Sequence, residues 1–444
     1  MKKRILFIMP SVGRKKNEPY VRSWQMEPLP IAALSALTPD DRFEKQFLDD
    51  RIEKIPSHIE ADLVAITTET YTAQRAYQIS DLFRKKGIPV LMGGFHATLV
   101  PEEIAEHADS VMVGEAEGCW HEMLEDLEHE TLKPRYQAGN RANLEGCFPD
   151  RQIYAGKKYI DLAMLETSRG CRYSCEFCSI SAFFKKQWTE RPVEDVVHEI
   201  KITGKRNWFF VDDNIGANFQ RLETFLQSLE KLRIRWVGQI SIEATNQPAL
   251  LKLMRRSGCI GVLIGFESIN SANLEQMGKS INRTVSDYET AISNLRKNGL
   301  AVYGTFVFGY DHDTRETFEE TYRFAVRNKL FFAAFNHLVP FPGTPLYERL
   351  ESEGRLLHKK WWLDPNYRFG DIAFQPAGFS PRELGDLCME YRTKFYHPAS
   401  ILRRGMDVRA NCSSPFMAAI FYAQNTKFLG DVHLRQNLPL GFHA

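Results

Sequence analysis

No stretch of the chain approaches the roughly 20 consecutive apolar residues needed to span a bilayer, so any contact with lipid is expected to be peripheral. Net charge is also nearly absent. Lys and Arg number 57 against 56 Asp and Glu, a balance of +1, which removes a global drive toward nucleic acid or an anionic membrane and leaves only local patches. The opening MKKRILFIMPSVGRKK is basic, but its apolar run stops at Pro10 without a small-residue cleavage pattern, so no secretory signal is read and a cytoplasmic location is expected. Repeats and low-complexity tracts are missing. Of eight cysteines, Cys119, Cys147, Cys259, Cys388 and Cys412 are scattered, and only Cys171, Cys175 and Cys178 cluster. In a reducing compartment that pattern favours one metal site over a disulfide framework.

What is present is the composition of a folded protein, 43% hydrophobic and 25% charged. A length of 444 residues exceeds the size at which one core usually stops growing. Short apolar runs at 5–9, 45–49, 63–67, 89–92 and 110–113 alternate with helical patterns near 30–37, 73–86 and 101–106, as in a doubly wound, flavodoxin-like parallel sheet. Ligands of such sheets sit outside the C-terminal strand ends. Residues 125–158 are weakly periodic and read as a linker with a small hairpin. A second alternation places strands at 160–166, 208–211, 235–240, 261–265, 301–308 and 332–338, with helices at 192–202, 221–232, 247–256, 285–297 and 314–328. Six such units make a partial TIM-type barrel, with chemistry expected on its C-terminal rim. The remainder is aromatic and mainly helical and is expected to cap the barrel. The expected fold class is therefore α/β, divided as residues 1–140, a linker at 141–158, a barrel at 159–350 and a helical part at 351–444.

At the end of the first barrel strand, residues 166–178 read E-T-S-R-G-C-R-Y-S-C-E-F-C, giving C-x-x-x-C-x-x-C. A four-iron cluster usually takes four cysteine ligands; three leave one iron open to another ligand. The competing readings are three buried cysteines in a turn, or a zinc site completed by a distant histidine. A closed zinc site needs a fourth ligand, and no local partner follows.

This stretch resembles the radical S-adenosylmethionine superfamily, and the resemblance extends over the whole barrel. It implies a 4Fe-4S cluster on Cys171, Cys175 and Cys178 whose open iron chelates S-adenosylmethionine. Reductive cleavage then gives a 5'-deoxyadenosyl radical, with an electron donor such as flavodoxin or ferredoxin as partner. Phe177 matches the aromatic position near the adenine. Asp212 and Asp213, in the sequence V-D-D-N at 211–214, match the strand end that holds the methionyl amino group, although the familiar G-G-E wording is absent. Glu267 in G-F-E-S is positioned for the ribose or amino group, with Ser241 and Glu243 as weaker candidates. Gly304 and Gly309 resemble the glycine-spaced adenine-binding strand, and P-F-P-G-T-P at 340–345 resembles a rim-shaping loop of the same enzymes. For each acid the alternative is a solvated strand end, and for the glycines close packing.

A flavodoxin-like domain ahead of such a barrel resembles the cobalamin-binding domain of the cobalamin-dependent subclass, which includes methylases of unactivated carbon or phosphorus and an anaerobic ring cyclase. Thr67 and Thr68, Gly93 and Gly94, and Gly114 and Glu115 follow its third, fourth and fifth strands. Strand-end glycines let a corrinoid's nucleotide tail approach the backbone. No D-x-H-x-x-G motif follows the first strand, which continues P-S-V-G-R, so no histidine ligand to cobalt is expected. His96 suits tail contacts or loop hydrogen bonding instead. The W-Q-M-E-P-L segment at 24–29 either faces the corrin or packs a helix entry.

The resemblance implies an enzyme using S-adenosylmethionine and cobalamin for methyl transfer or another carbon-centred bond formation. The alternative is a cobalamin-independent radical cyclisation, coupling or rearrangement. A non-catalytic metal- or corrinoid-binding regulatory protein is the reading from another class, and the open-site cysteines argue against it. A small-molecule or lipid-like substrate is expected, and no nucleic acid. Trp361, Trp362, Tyr367, Phe369, Phe374 and Phe379 offer an apolar pocket or ordinary core. Lys394, Arg403, Arg404 and Arg409 offer a basic face.

Overall fold

The computed structural model describes residues 2–15, 25–56, 58–139, 141–279, 285–434 and 436–442. Trp24 of the corrin-facing segment lies outside them. The N-terminal part is a six-stranded sheet of β1 (Lys3–Met9), β2 (Phe43–Asp49), β3 (Leu63–Thr67), β4 (Val90–Gly93), β5 (Ser110–Val113) and β6 (Arg135–Gln137), in the order β2-β1-β3-β4-β5-β6. Every pairing is parallel. Five strands match the sequence reading. The sixth falls in the segment read as a linker, where no hairpin forms among the described residues; with three residues, only Tyr136 buried, it is too short to show a period of two. The central strands are apolar on both faces, as helices on both sides of a parallel sheet require.

The second sheet contains β7 (Ala163–Leu165), β10 (Asn207–Phe210), β11 (Arg235–Gln239), β12 (Cys259–Glu267), β13 (Ala301–Phe308) and β14 (Phe332–His337), in the order β14-β13-β12-β11-β10-β7. It is an all-parallel, unclosed barrel. Between its first two strands lies an antiparallel pair, β8 (Ser168–Gly170) with β9 (Trp188–Glu190), which closes the base of the cysteine loop. Strands of three residues without a flanking apolar run such as the one that marks β7 leave no sequence signature, so this hairpin was not anticipated.

The C-terminal helices Pro381–Tyr396, Pro398–Gly405 and Pro415–Asp431 each begin with proline in the first turn behind a capping Ser380, His397 or Ser414. The first covers the barrel's edge strand. The Tyr396 hydroxyl donates to the Ala333 carbonyl at 3.1 Å and Arg392 donates to that of Phe335 at 2.9 Å, so β14 presents no bare edge there. The expected cap is only part of the picture. Trp361, Trp362 and Tyr367 pack into the core of the N-terminal sheet, whereas Phe374 and Phe379 join the barrel core. Arg404 is not a surface cation. It is fully buried, donating to the carbonyls of Leu330, Phe331 and Phe395 and to Asn425 Oδ1. Lys394 is paired with Glu319.

Candidate functional site

The cysteine loop begins at a glycine that no other residue replaces easily. Gly170 has φ +86°, and a Cβ there would overlap the Gln187 carbonyl oxygen across the β8–β9 hairpin. Its N–H donates to Asp213 Oδ2 at 2.8 Å, tying the loop to the end of β10. Farther along, Glu176 N–H donates to the Met277 carbonyl at 3.1 Å, and the Glu176 carboxylate takes a two-pronged bond from Arg349 at 2.8 and 3.2 Å.

Cys171, Cys175 and Cys178 are unpaired thiols of intermediate exposure. Burial raises the pKa of each, that of Cys178 to about 11; Cys171 also raises that of Cys175, and both raise that of Cys178. Lys279 acts in the opposite sense on Cys171 and Cys175. Among the described residues no three His, Cys, Asp or Glu side chains gather round a single ion. Thiolates on separate irons of a cluster stand farther apart than the ligands of one ion, and three soft donors with a nearby cation suit such a cluster.

The strand-end acids have diverged in role. Asp212 is buried, and its carboxylate accepts from Thr167 N at 3.2 Å, Thr167 Oγ1 at 2.7 Å and Ser168 Oγ at 2.6 Å. It fastens β10 to β7 and has little left to offer a ligand. Asp213 points over the cysteine loop, and burial raises its pKa to about 6. Glu267 is a non-glycine residue at φ +64°, beyond a register shift in β12, with Oε1 held by Lys279 Nζ at 2.6 Å. Left-handed backbone at a glutamate costs energy and gathers at functional sites. Lys279, which also donates to the Gly265 carbonyl at 2.8 Å, is a site residue that sequence reading missed, because a lone lysine after a short helix carries no signal. Glu243 accepts from Tyr173 at 2.9 Å. The Ser241 hydroxyl is buried beside Tyr173 without a hydrogen bond of sound geometry.

The two barrel glycines answer packing. A side chain at Gly304 would press on Leu330 and Phe266, and one at Gly309 on Leu384 and Phe374. Neither opens a space toward a ligand. Phe177, in contrast, lines a cavity of about 520 Å³. That cavity reaches from the cysteine loop past Tyr303 and Val307 of β13 to Tyr71 beyond β3 and Phe369 of the C-terminal part. Its polar groups include Arg392 and His337. The Nε2 of His337 is buried without a partner, and burial lowers its pKa to about 4, the Arg392 charge acting in the same direction.

The strand ends of the N-terminal sheet turn toward the barrel. Phe95, just past Gly94, packs with its ring centre 4.5 Å from that of Phe183, tilted by 33°, on the helix that follows Cys178. Gly94 has φ +100°, and a Cβ there would sit 2.9 Å from the Thr68 carbonyl oxygen, whereas at Gly93 the nearest neighbour would be Met112 at 3.5 Å. At Gly114, φ +84°, no described atom stands within 4 Å of that position. Thr67 ends β3, and the Thr68 hydroxyl is buried without a partner. This open, glycine-lined edge with an orphaned hydroxyl fits the nucleotide tail of a corrinoid. His96 has both nitrogens engaged, Nδ1 with Thr70 Oγ1 and Nε2 with Glu103 Oε1, each at 3.2 Å. It is a structural residue with no lone pair aimed at a metal. Glu115 turns to the other domain, pairing with Arg141 at 3.2 Å and Arg169 at 3.3 Å. Arg169 also holds Glu117 at 2.7 Å and Glu166 at 2.8 Å, so one guanidinium two residues before Cys171 rivets the sheet to the loop.

Residues 165–325 match the family model described as the radical SAM superfamily, and residues 23–123 that of the B12 binding domain. The chain is 33% identical over 375 residues to bacteriochlorophyllide d C-12(1)-methyltransferase of Chlorobaculum tepidum, covering 82% of this chain and 81% of that protein. It is 32% identical over 352 residues to the bacteriochlorophyllide d C-8(2)-methyltransferase of the same organism, covering 74% and 77%. In fold it matches the radical S-adenosylmethionine methyltransferase TsrM from Kitasatospora setae, solved with tryptophan substrate and a SAM analogue, at 15% identity and TM-score 0.69, over 98% of this chain and 99% of that one. A three-cysteine loop on the rim of an open barrel and a glycine-edged sheet facing it thus coincide with both matched domains, and the chain belongs to the radical S-adenosylmethionine superfamily, in its branch with a B12-binding domain, as an enzyme whose cofactors are a 4Fe-4S cluster, S-adenosylmethionine and cobalamin.

Proposed function

We propose that this enzyme methylates a carbon atom of a flat, largely apolar, carboxylate-bearing tetrapyrrole seated in the 520 Å³ cavity. The observation that carries the reading is the cavity's course. Its lining includes both Phe177, beside Cys178, and Tyr71, beyond the strand end of the N-terminal sheet, so one ligand there would adjoin the sites of both cofactors. The identity to two bacteriochlorophyllide methyltransferases supports the substrate class. When bound, the cluster supplies the electron that cleaves S-adenosylmethionine and cobalamin carries the methyl group.

This chain's residues do the positioning. Asp213 and Glu267 would hold the amino group of S-adenosylmethionine, Lys279 keeps Glu267 in place, and Phe177 would pack at the adenine. Tyr71, Tyr303 and Phe369 provide aromatic walls for the macrocycle. Arg392, fixed by its bonds to the Phe335 carbonyl and Asn336 Oδ1, takes a substrate carboxylate. Neutral His337 presents its unpartnered Nε2 to a polar group of the substrate. The division of labour follows residues 1–140 for cobalamin, 159–350 for the radical site and 351–444 for the cavity wall. A reduced flavodoxin or ferredoxin in the cytoplasm supplies electrons.

The test is an anaerobic incubation of reconstituted holoenzyme with S-adenosylmethionine, a low-potential reductant and a panel of chlorins and porphyrins, read by mass spectrometry. A product heavier by one methylene, formed with S-adenosylhomocysteine and 5'-deoxyadenosine, is the expected result. Arg392→Gln should raise KM roughly tenfold for the free acid and leave that for its methyl ester unchanged, the scale of one charge-assisted bond. Formation of 5'-deoxyadenosine without methylation of any panel member would sink the tetrapyrrole assignment and leave the radical enzyme standing.

A further inference from the structure

The end of the barrel opposite the cysteine loop carries a surface that catalysis does not use. Nine large apolar side chains stand exposed among the described residues, and five of them lie within residues 402–422. They are Leu402 at 62%, Met406 at 69%, Val408 at 75%, Phe416 at 41% and Tyr422 at 39% exposure. The two short segments that carry them are one patch. Helices Pro398–Gly405 and Pro415–Asp431 pack together, and Gly405 is closed off by the Tyr422 ring lying against it. Such a concentration on two packed helices and the turn between them differs from the scattered exposed apolar residues of an ordinary surface.

Cations surround the patch. The Arg235 guanidinium sits 4.2 Å from the centre of the Phe416 ring. Lys329 donates to the carbonyl of Arg403. The Arg409 carbonyl and Arg255 Nε lie on either side of Gly299, 3.6 and 3.5 Å from where a Cβ would stand. Arg235, Arg255, Arg403 and Arg409 are exposed. The acid within this segment is withdrawn: Asp407 is buried and neutralised by Arg296 at 2.8 Å. The chain as a whole carries only +1, so this local excess is a property of one face. Apolar tips ringed by arginines complement anionic headgroups over a hydrocarbon layer.

We propose that this face docks the enzyme on an anionic lipid surface, with Leu402, Met406 and Val408 entering the headgroup–acyl boundary and Arg235, Arg255, Arg403 and Arg409 meeting the phosphates. Among the described residues no helix is long and apolar enough to cross a membrane, so the attachment is peripheral and reversible. Because the face lies at the N-terminal ends of β11 to β14, docking leaves the strand C-terminal rim and its cavity open.

The full-length holoenzyme is sedimented with vesicles of pure phosphatidylcholine and with vesicles containing one-third phosphatidylglycerol, at low and high salt. Expected are binding to the anionic vesicles, loss at high salt, and a drop of roughly tenfold or more in partitioning for both Met406→Asp/Val408→Asp and Arg403→Glu/Arg409→Glu. Cluster content and thermal midpoint establish that the variants are folded. Binding to neither vesicle overturns the proposal, as does binding that the variants leave unchanged. So does a concentration-dependent dimer in sedimentation velocity that Met406→Asp abolishes, which would assign the face to self-association.

Discussion

Glu103, on the helix that leads from β4 to β5, accepts a hydrogen bond from the indole Nε1 of Trp362 at 2.9 Å, across 259 residues of sequence. The same carboxylate accepts from the Tyr77 hydroxyl at 2.7 Å, faces His96 Nε2 at 3.2 Å and pairs with Lys360 at 3.1 Å. The C-terminal segment is thereby locked onto the cofactor-binding sheet, and the cavity between them acquires a fixed wall. Burial alone would raise the pKa of Glu103, but the bonds from His96, Tyr77 and Trp362 outweigh it and bring it down to about 2.

Glu103→Ala should therefore destabilise the protein by about 3 kcal/mol, because it strands the buried donors of Tyr77 and Trp362. An unfolded glutamate titrates near ~4.3, above the folded value of about 2. The folded state then binds fewer protons between these values, so the stabilisation is present above the upper one and fades as pH falls toward the lower. Thermal midpoints of wild type and Glu103→Ala should differ most at neutral pH and converge in acid. A constant difference across that range would remove the ionic component.

The cluster assignment predicts a sharp division among cysteines. Cys171→Ala, Cys175→Ala and Cys178→Ala should each lose most bound iron and sulfide after reconstitution. Cys388→Ala and Cys412→Ala should retain it, since Cys388 packs in the barrel core with its thiol held at about 12 by burial, and Cys412 packs in a separate apolar cluster. A triple variant with full iron content would overturn the assignment.

Two adjacent glycines separate cofactor clearance from backbone need. Gly93→Ala places its Cβ 3.5 Å from the nearest protein contact, Met112, an ordinary distance, so the folded variant should keep its cluster while corrinoid affinity falls roughly tenfold or more from steric exclusion of the tail. Gly94→Val instead forces a β-branched residue to φ +100° against Thr68 and should depress the thermal midpoint as well. Absorbance of retained hydroxocobalamin after anaerobic desalting reads the first effect. His96→Ala should keep the corrinoid without any change attributable to loss of imidazole coordination, because both ring nitrogens already have protein partners.

Glu267→Ala and Asp213→Ala should weaken S-adenosylmethionine binding by roughly tenfold each while leaving iron in place, as expected for charge-assisted bonds of 1.5–3 kcal/mol or about that. Asp212→Asn should behave differently, losing stability through its ties to Thr167 and Ser168. Equilibrium dialysis with labelled S-adenosylmethionine, beside thermal melts, distinguishes the two kinds of loss. Unchanged binding in Glu267→Ala would reassign its strained backbone to the fold.

Much of the fold was legible locally. Runs such as L-V-A-I-T at 63–67 carry the apolar continuity of a strand buried on both faces, and the cysteine spacing names its chemistry without reference to distant residues. The three-residue strands β6, β8 and β9 were illegible, because a period of two needs more residues to declare itself. Gly304 was ambiguous. A glycine in a strand reads the same whether a ligand or, as here, Leu330 and Phe266 approach it.

The sequence by itself determined the cysteine loop, the order of the two α/β units and the glycines at their strand ends, since these depend on neighbours within a few residues. Tertiary structure decided which polar groups remain available. Asp212 and Asp213 are adjacent in sequence, yet Asp212 is spent on Thr167 and Ser168 while Asp213 reaches the cysteine loop. Trp361 and Trp362 left the barrel for the N-terminal core, Arg404 was buried against three carbonyls, and Arg403 beside it stayed on the surface. Burial and hydrogen-bond satisfaction are set by residues far apart in the chain that meet only on folding, and no local pattern encodes which partner arrives.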